Sequence, residues 1–562
     1  MSRPIFGQTL EELLAKTEKE CERRGMVKEK DTLLKTLRDL VEVYGYSPKQ
    51  ICVFDQIKMG SKEYEADIVV YRDEQRRSPY IVVETKAPRV EGLSQAKSYA
   101  SVIGASFAMW TDGHDTETYD FSSDEIISTI PHASQPCGSL LYGNRVGTPL
   151  KPVRDVNELR HVFERLHGVI RDIEKKAHER AFKIASRLIY TKVYDEKNTP
   201  TGRFYSFQVG FAEKPSDVAQ RIRNLYSVAR RREPNIFPED MGVSHDLTLF
   251  KVAKILGHVS LKDTDLDIKG EAYQYFLDVV FRGALGQYFT PREIVRAMVE
   301  MVDPTEDMKI IDPACGTGGF LLYSLFDVEK KLKKLYDDIV SVREKLLEFA
   351  YYQLYGVEVE DDIAQAAISS MILCDDAHSH IIVADALAPW DDLSRHGLEP
   401  ESFDVVLTNP PLGLYEQRRE ILNQFEVGRN RSRQLSQVLF VERGMEFLKP
   451  GGLMVTIMSE DALERDEDFI RYLKGNTLIR AVISLPREAF IPYGANSKTN
   501  ILVIQKPGPE VPPTDEIFMA EAKFVGYDTS GKRIEKNDLP LIVDKWREFE
   551  REHRYLEVVR YG

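Results

Sequence analysis

Cysteine is scarce in this chain and is not arranged to bind metal or to form disulfides. Only five cysteines occur among 562 residues, and no two of them form a C-x-x-C pair. Their scatter excludes a disulfide framework and a cysteine-rich zinc site, and it is typical of a protein in a reducing compartment. The five are Cys21, Cys52, Cys137, Cys315 and Cys374. We therefore expect a cytoplasmic protein.

Long apolar runs are also missing. No stretch approaches the roughly 18 apolar residues of a membrane span, and the opening segment MSRPIFGQTLEELLAK lacks the apolar core of a signal peptide. The chain contains no G-x-x-x-x-G-K-S/T phosphate loop, which a P-loop ATPase motor would require. The sequence thus predicts no membrane segment, no secretion and no ATP-driven motor.

An excess of positive charge is missing as well. The formal net charge is −14, whereas a domain that binds DNA on its own usually carries a basic footprint. Either a local basic surface is hidden in this average, or a partner supplies much of the contact with nucleic acid. The arginines at 418–419 and within 429–433 are candidates for phosphate contacts, with a solvated loop as the alternative.

The N-terminal part, residues 1–150, has the pattern of a mixed α/β domain. Apolar residues at helical spacing predict a helix over 28–44, which Gly45 ends. Two segments rich in β-branched residues, 66–71 and 80–84, predict strands.

The rest of the chain divides into three parts. Residues 151–270 are helical and highly charged, with a helix over 216–231 that Ser216 is placed to cap. Residues 271–508 alternate helices with short apolar strands, which predicts a Rossmann-like, doubly wound α/β sheet. Residues 509–562 have the composition of a charged tail with one helix around Trp546. Further predicted features are a helix over 156–176, a break over 195–203, a long helix over 327–349, and strands at 309–312, 354–358, 381–385, 403–407, 452–457, 479–483 and 499–504.

Four motifs follow one another in the third part, each beside a predicted strand or helix end. They are Gly286-Gln287-Tyr288-Phe289-Thr290-Pro291 before a helix; Asp312-Pro313-Ala314-Cys315-Gly316-Thr317-Gly318-Gly319-Phe320 after a strand; Glu358 and Asp385 at later strand ends; and Asn409-Pro410-Pro411 after the strand at 403–407. Each motif alone is weak evidence, because each occurs by chance. Their order and placement together predict one site at the carboxyl edge of the sheet.

The first three motifs are typical of a nucleoside cofactor site. A glycine-rich turn between strand and helix lets the backbone approach a ligand closely, which in this fold is the amino-acid end of S-adenosylmethionine. Glu358 is placed to accept hydrogen bonds from ribose hydroxyls, and Asp385 from the adenine amino group. The candidate cofactor residues of the turn are Asp312, Ala314, Gly316, Thr317, Gly318 and Gly319.

Asn409-Pro410-Pro411 indicates transfer of a methyl group to an exocyclic amine. The lone pair of the adenine amine is delocalised into the ring, so the amine is a poor nucleophile. The Asn409 side-chain carbonyl and the Pro410 main-chain carbonyl can each accept one N–H, which points the lone pair at the sulfonium methyl. This chemistry needs positioning more than a strong base, and the target base must leave the duplex.

Residues 256–508 resemble the modification subunit of type I restriction-modification systems. The resemblance rests on GQYFTPREIV, DPACGTGGFL, FDVVLTNPP, FLKPGGLMVTI and LIRAVISLPREAFIPYGANSKTNILVI. It implies adenine-N6 specificity in DNA and a separate specificity subunit, and it leaves a homo-oligomer open. It also implies cofactor contacts at Gln287, Tyr288, Phe289, Thr290, Pro291 and Arg292, at Thr317 to Gly319, and at Glu358. This chain departs from the family at Leu412, where an aromatic residue usually follows Asn-Pro-Pro, and Tyr415 is a candidate substitute.

The N-terminal part carries an Asp…Glu-x-Lys pattern formed by Asp67, Glu84 and Lys86. Two carboxylates can hold Mg²⁺, and the lysine can orient a water for phosphodiester hydrolysis. Residues 29–119 resemble the N-terminal nuclease domain of type I restriction subunits, in the PD-(D/E)XK superfamily, through ADIVVY, IVVETKAP and SQAKSYA. The family's upstream helical acid has two candidates here, Glu29 and Asp31. A nuclease fold retained only for docking is the alternative.

Three functions stay open on the sequence. The first is a fused nuclease and methyltransferase subunit, which we expect to need a separate specificity subunit because no target-recognition domain follows the last strand. The second is a DNA-binding or regulatory subunit without turnover, which Leu412 favours. The third is a protein glutamine methyltransferase, because that class also uses Asn-Pro-Pro.

Overall fold

The computed structural model describes residues 4–26, 29–59, 62–87, 90–113, 115–121, 125–127, 130–131, 133, 149–199, 204–210, 213–232, 240–281, 290–374, 380–493, 497–509, 511, 516–555 and 559. Within these ranges, no helix combines the length and the apolar character needed to cross a membrane.

The N-terminal part is a six-stranded sheet with helices on both faces. Its elements are α1 (Leu10–Arg24), α2 (Lys30–Arg38), β1 (Ile51–Met59), β2 (Lys62–Tyr71), β3 (Pro79–Thr85), α3 (Leu93–Ile103), β4 (Phe107–Thr111), β5 (Thr116–Asp120) and β6 (Glu125–Ile127). The strands lie in sequential order, and β3 with β4 is the parallel pair among them. Apolar residues of α1 and α2 cover one face and those of α3 the other. The two strands predicted here are confirmed as β2 and β3.

The middle part is a bundle of helices. Its elements are β7 (Lys151–Pro152), α4 (Val156–Glu174), α5 (His178–Asn198), α6 (Pro215–Arg232), α7 (Asp246–Leu256), β8 (Val259–Ser260) and α8 (Leu266–Phe281). Helix α8 crosses the boundary that we predicted at residue 270.

Two details of the bundle differ from the sequence prediction. Helix α6 begins at Pro215, so Ser216 lies inside the helix and does not cap it; proline is favoured in the first helical turn because its missing N–H would be unpaired there. The break predicted over 195–203 starts later than expected, since α5 continues to Asn198. Polar residues stay inside this helix because they bond to other segments: Asp195 accepts from the Phe207 N–H at 2.9 Å, and Glu196 accepts from the Lys262 N–H at 2.9 Å.

The C-terminal part is a second, larger sheet with helices on both faces. Its helices are α9 (Arg292–Val302), α10 (Gly319–Leu335), α11 (Ile339–Tyr352), α12 (Asp361–Leu373), α13 (Trp390–Ser394), α14 (Arg419–Leu422), α15 (Ser436–Phe447), α16 (Glu460–Arg465), α17 (Glu467–Asn476) and α18 (Leu539–His553). Its strands are β9 (Ile310–Asp312), β10 (Leu354–Glu358), β11 (Ile381–Val383), β12 (Phe403–Thr408), β13 (Tyr415–Glu416), β14 (Gln434–Leu435), β15 (Leu448–Ser459), β16 (Leu478–Ser484), β17 (Thr499–Gln505), β18 (Phe518–Glu521), β19 (Val525–Tyr527) and β20 (Arg533–Asn537).

Eight of these strands form one sheet in the order β11-β10-β9-β12-β15-β17-β16-β18. Strand β17 runs antiparallel to both of its neighbours, β15 and β16. The chain moves outward from β9 in one direction and then returns to place β12 on its other side, so the strand order reverses between β9 and β12. Open α/β sheets bind ligands at the carboxyl ends of the strands at such a reversal. The predicted doubly wound α/β class is confirmed.

Two segments of this part differ from the prediction. The expected long helix over 327–349 is two helices, α10 and α11, separated where Asp338 accepts from the Ser341 N–H at 2.8 Å and caps the second. The expected charged tail is part of the sheet: β18 pairs with β16. In α18, Trp546 is fully buried, and its indole N–H donates to the Met301 carbonyl at 2.8 Å.

The helical bundle holds the N-terminal sheet through an ionic clamp at the start of β5. Lys251 of α7 pairs with Glu117 at 2.5 Å, and Arg165 of α4 pairs with Asp115. The Lys254 ammonium, also on α7, donates to the Thr116 carbonyl oxygen. Burial lowers the pKa of Lys254 to about 8. These contacts fix the N-terminal sheet against the bundle.

Candidate active site

The glycine-rich turn connects β9 to α10 beside the reversal in strand order. Gly316 and Gly318 both have positive φ angles, 53° and 80°. Residues with a side chain rarely adopt this conformation, so glycine is required for the tight path of the turn. The turn leads directly into α10, which begins at Gly319.

A glutamine from the helical bundle holds this turn in place. Gln274 of α8 donates from Nε2 to the Thr317 carbonyl at 3.1 Å and to the Ser370 hydroxyl at 3.0 Å. The Thr317 hydroxyl donates back to Gln274 Oε1 at 3.3 Å. All three side chains are buried. Sequence reasoning missed Gln274, because it lies in a helix without a motif and 43 positions before Thr317.

Two acidic side chains lie under the turn. Asp312, at the end of β9, is buried and accepts from the Ala314 N–H at 3.1 Å. Glu358, at the end of β10, accepts from the Gly316 N–H and from the Glu360 N–H, both at 3.0 Å. Burial, reinforced by the nearby charge of Glu358, raises the pKa of Asp312 to about 7. Burial also raises the pKa of Glu358. A cationic ligand in this position would favour the ionised form of both.

Asp385 lies at the same edge of the sheet but already has a partner. Strand β11 ends at Val383, so Asp385 is two residues beyond the strand and not at its end as predicted. Its Oδ2 accepts from Arg418 at 2.7 Å and its Oδ1 from the Leu387 N–H at 2.9 Å. Arg418 also pairs with Glu416 at 2.5 Å. Arg418 is therefore tied to two carboxylates.

Asn409 follows β12 on the other side of the reversal. Its Nδ2 donates to the Thr290 hydroxyl at 2.9 Å, so the amide is oriented by the segment before α9. Its Oδ1 is buried and has no hydrogen-bond partner in the part of the chain that the structure describes. A buried carbonyl without a donor costs free energy, about 1–3 kcal/mol. Among the described residues this oxygen is available to accept a further hydrogen bond.

A single cavity brings many of the predicted residues together. The predicted residues that line it are Thr290, Arg292, Asp312, Ala314, Thr317, Gly319 and Asn409, and further lining residues are Gln274, Val295, Cys315, Phe320 and Tyr323. Glu358 and Gly316 lie beneath it through their hydrogen bond, and Pro291 caps α9. Gln287, Tyr288 and Phe289 lie outside the described residues.

The residues after Asn409 leave the site toward the surface. Leu412 is half-buried against the core of the sheet, and Tyr415 is 47% exposed in β13. The Arg433 guanidinium lies over the Tyr415 ring, 4.5 Å from its centroid. Arg431 pairs with Asp466 at 2.8 Å and with Asp468 at 2.5 Å. Tyr415 is therefore about half-exposed, with Arg433 stacked over its ring.

The three residues singled out in the N-terminal sheet also meet. Lys86 donates to Glu84 Oε2 at 3.1 Å, and Glu84 Oε1 accepts from the Asp67 N–H at 3.3 Å. Asp67 Oδ2 accepts from the Thr85 N–H at 2.7 Å and from its hydroxyl at 3.0 Å. The charge of Glu29 acts on both Asp67 and Lys86, so the start of α2 lies near the cluster.

Asp67 and Glu84 are two buried carboxyl groups close together, and each disfavours ionisation of the other. Burial and the charge of Asp67 raise the pKa of Glu84 to about 8. Burial also raises the pKa of Asp67. Burial alone would lower the pKa of Lys86, but the two carboxylates raise it. No group of three or more His, Cys, Asp and Glu side chains placed to hold a metal occurs among the residues described, so the protein would supply two carboxylates and water the other ligands, which is common for Mg²⁺.

Two family models match this chain, one in each sheet-containing part. The N-6 DNA Methylase model matches residues 264–561, and the model for the N terminus of the type I restriction enzyme R protein matches residues 33–131. Since the first match covers more than half of the chain, this protein belongs to the N-6 DNA methylase family.

Curated relatives are similar over part of their length. RM.BcgI of Heyndrickxia coagulans, a type II restriction enzyme and methyltransferase, is 27% identical over 300 residues, which is 52% of this chain and 41% of that protein. The methylase subunit of the type I restriction enzyme EcoEI of Escherichia coli is 27% identical over 322 residues, which is 55% of this chain and 61% of that subunit. The aligned parts thus span less than two thirds of either relative.

Solved structures share the fold. A chain from a type I restriction-modification system matches with a TM-score of 0.52 at 21% identity, covering 72% of this chain and 85% of that one. A chain from Vibrio vulnificus YJ016, described as the modification subunit of a type I restriction enzyme, matches with a TM-score of 0.52 at 16% identity, covering 71% and 91%.

Proposed function

We propose that this chain transfers the methyl group of S-adenosylmethionine to N6 of adenine in DNA, as the modification subunit of a restriction-modification system. The observation that carries the proposal is the unpaired, buried Oδ1 of Asn409 at the cavity that the glycine-rich turn lines. Family membership supports the same chemistry. The relatives named as methylase subunits support a role within a larger assembly.

The residues present fit this cofactor and this acceptor. S-adenosylmethionine would supply an electrophilic methyl group and a positive charge, which Asp312 and Glu358 are placed to balance. Asn409 Nδ2 donates to the Thr290 hydroxyl, and this hydrogen bond fixes the side-chain amide. The Oδ1 atom of the same amide is left available to accept. Asn409 Oδ1 and the Pro410 carbonyl then accept the two N–H groups of the adenine amine. The site stabilises charge and position and removes no proton before transfer.

The net charge of −14 supports a separate subunit for target recognition. Phosphate contacts dominate the affinity of proteins for DNA. Arg418 and Arg431 are both engaged by carboxylates, which leaves less positive charge for DNA near the Asn-Pro-Pro segment. We infer that a specificity subunit supplies most of the affinity for DNA.

The experiment is transfer of labelled methyl from S-adenosylmethionine to unmodified genomic DNA, with the chain alone and with its candidate specificity subunit. We expect label in N6-methyladenine, its loss in Asn409→Ala, and its retention in the control Asn423→Ala, which changes an exposed asparagine. Cofactor affinity of Asn409→Ala should stay within a few-fold of wild type. Label in protein glutamine would establish the glutamine methyltransferase instead. Cofactor binding without any transfer would favour a DNA-binding or regulatory subunit without turnover.

A second candidate activity is magnesium-dependent DNA cleavage by the N-terminal sheet. The cluster of Asp67, Glu84 and Lys86 favours it, because two buried carboxylates with raised pKa values gain from a divalent cation. Lys86 lies 3.1 Å from Glu84 and is placed to orient a water. The match of residues 33–131 to the restriction R-protein N terminus supports the same fold.

Cleavage is tested on unmodified plasmid with Mg²⁺ and with EDTA, in the assembled complex. We expect Glu84→Gln and Lys86→Ala to abolish cutting and Glu63→Gln, which changes an exposed glutamate on the same sheet, to keep it. Methyl transfer should persist in all three variants. If the plasmid stays intact under every condition while methylation occurs, the N-terminal sheet does not cleave DNA, and a docking role is favoured.

A further inference from the structure

The side chain of Tyr323 lies between two cavities, one of which is the candidate active site. It projects from α10, four residues after Gly319, so both lie on one face of the helix. Tyr323 lines the cavity that contains Asn409 and Thr317. It also lines a second, charged cavity with Arg296 and Lys330. The ring is thus the wall between the cofactor cavity and its charged neighbour.

The hydroxyl of Tyr323 is buried and has no hydrogen-bond partner in the described ranges. The side chain is only 5% exposed. A tyrosine hydroxyl in such a place normally finds a partner, because leaving it unpaired costs free energy. The missing partner is therefore expected to be a ligand.

Two arginines, Arg292 and Arg296, and two glutamates, Glu271 and Glu293, act on the hydroxyl. The Arg292 charge acts on Tyr323, and Arg292 lines the same cavity. The Arg296 guanidinium lies 5.7 Å from the centroid of the Tyr323 ring. Arg296 is already paired with Glu271 at 2.6 Å, which leaves Arg292 as the arginine that lines the cavity with Tyr323. Burial raises the pKa of Tyr323 to about 12, so the hydroxyl keeps its proton at neutral pH and can donate.

We propose that the Tyr323 hydroxyl, with Arg292, binds the carboxylate of the methionyl group of S-adenosylmethionine. The inference rests on the proposed cofactor and adds a positioning residue that selects for the amino-acid end of it. A carboxylate would accept from the unpaired donor and pair with the Arg292 guanidinium. The sulfonium and the methyl group would then lie toward Asp312 and Asn409.

The test compares S-adenosylmethionine with decarboxylated S-adenosylmethionine, which keeps the adenosyl and sulfonium groups but lacks the carboxylate. Affinities are measured by calorimetry on the full chain, for wild type and Tyr323→Phe. We expect the substitution to lower the affinity for S-adenosylmethionine about tenfold, which is the effect of losing one hydrogen bond to a charged group. It should leave the affinity for the decarboxylated compound unchanged. Tyr352→Phe, which removes a hydroxyl from an exposed ring, is the matched control and should change neither affinity.

The stability of the chain without ligand gives an independent readout. Tyr323→Phe removes an unpaired buried hydroxyl and keeps the ring, so the melting temperature of the free chain should be equal to or above that of wild type. A structural role would lower it. The inference is overturned if Tyr323→Phe lowers the affinity for both compounds equally, or if it changes neither affinity. If wild type binds neither compound, the proposed cofactor itself is wrong, which is a separate outcome.

Discussion

Gln274 Nε2 lies 3.1 Å from the carbonyl oxygen of Thr317, so a helix of the bundle holds the glycine-rich turn of the sheet. The contact makes the shape of the cofactor cavity depend on a residue outside the motifs. Helix α8, which crosses the predicted boundary, packs on α4 and α5 of the bundle and on α10 and α12 of the C-terminal part.

Replacing Gln274 by Ala should weaken cofactor binding. The change leaves the Thr317 carbonyl and the Ser370 hydroxyl without their donor, and each unpaired buried group costs about 1–3 kcal/mol. We expect the Kd for S-adenosylmethionine to rise roughly tenfold or more, measured by calorimetry. Gln220→Ala on the exposed face of α6 serves as the control. Unchanged affinity in Gln274→Ala would show that the turn holds its shape without this clamp.

Asp312 should make the stability of the free chain depend on pH. A carboxyl whose pKa is higher in the folded chain binds more protons when folded, so stability falls as pH rises between the two pKa values. For Asp312 this window runs from its ordinary value of 3.8 to about 7. The stability of Asp312→Asn relative to wild type should therefore increase across that window and level off above it. The measurement is the free energy of chemical unfolding at several pH values. Parallel curves would contradict the prediction.

Tyr415 should take part in holding the flipped base. Stacking of a base on an aromatic ring contributes about 1–3 kcal/mol, so Tyr415→Ala should lower methyl transfer roughly 10- to 100-fold, while Tyr415→Phe should keep it. The readout is kcat/KM with a short duplex. If Tyr415→Ala is silent and Leu412→Tyr raises the rate, the aromatic function belongs at position 412 and is missing here.

The ionic clamp between the N-terminal sheet and the bundle should show coupling between Glu117 and Lys251. Each charge reversal alone, Glu117→Lys or Lys251→Glu, should lower the free energy of unfolding, and the double reversal should recover part of it. A partly exposed ion pair is worth up to about 1 kcal/mol, and salt should reduce the coupling. A double-mutant cycle at low and high salt measures both. Strict additivity would mean that the pair contributes nothing to docking.

The sequence predicted the parts of the site that depend on local pattern. Asp312, Glu358 and Asn409 each follow a short apolar strand, and the carboxyl ends of parallel strands meet at one edge. The glycines of the turn were recognisable because the chain needs positive φ angles there. The doubly wound class was predicted from another local pattern, the alternation of strands with helices.

Other parts depend on contacts between distant residues and leave no local pattern. The pairing of Asp385 with Arg418 joins positions 33 apart, and the Gln274 clamp joins α8 to the turn. Strand β18 has only four residues, with half-buried and exposed positions in alternation. Such a short strand, following a proline-rich segment, resembles a tail in sequence. Its place is decided by the neighbouring strand that it pairs with.

That short strand has a consequence for handling the protein. It pairs with β16, which would otherwise be the last strand of the sheet. A chain cut after residue 508 would expose the unpaired N–H and C=O groups of β16, and such an open edge is a template for pairing with other molecules. It would also uncover the apolar surface beneath Trp546. We therefore expect a chain that lacks the last fifty residues to accumulate in inclusion bodies, even though every motif of the cavity is retained.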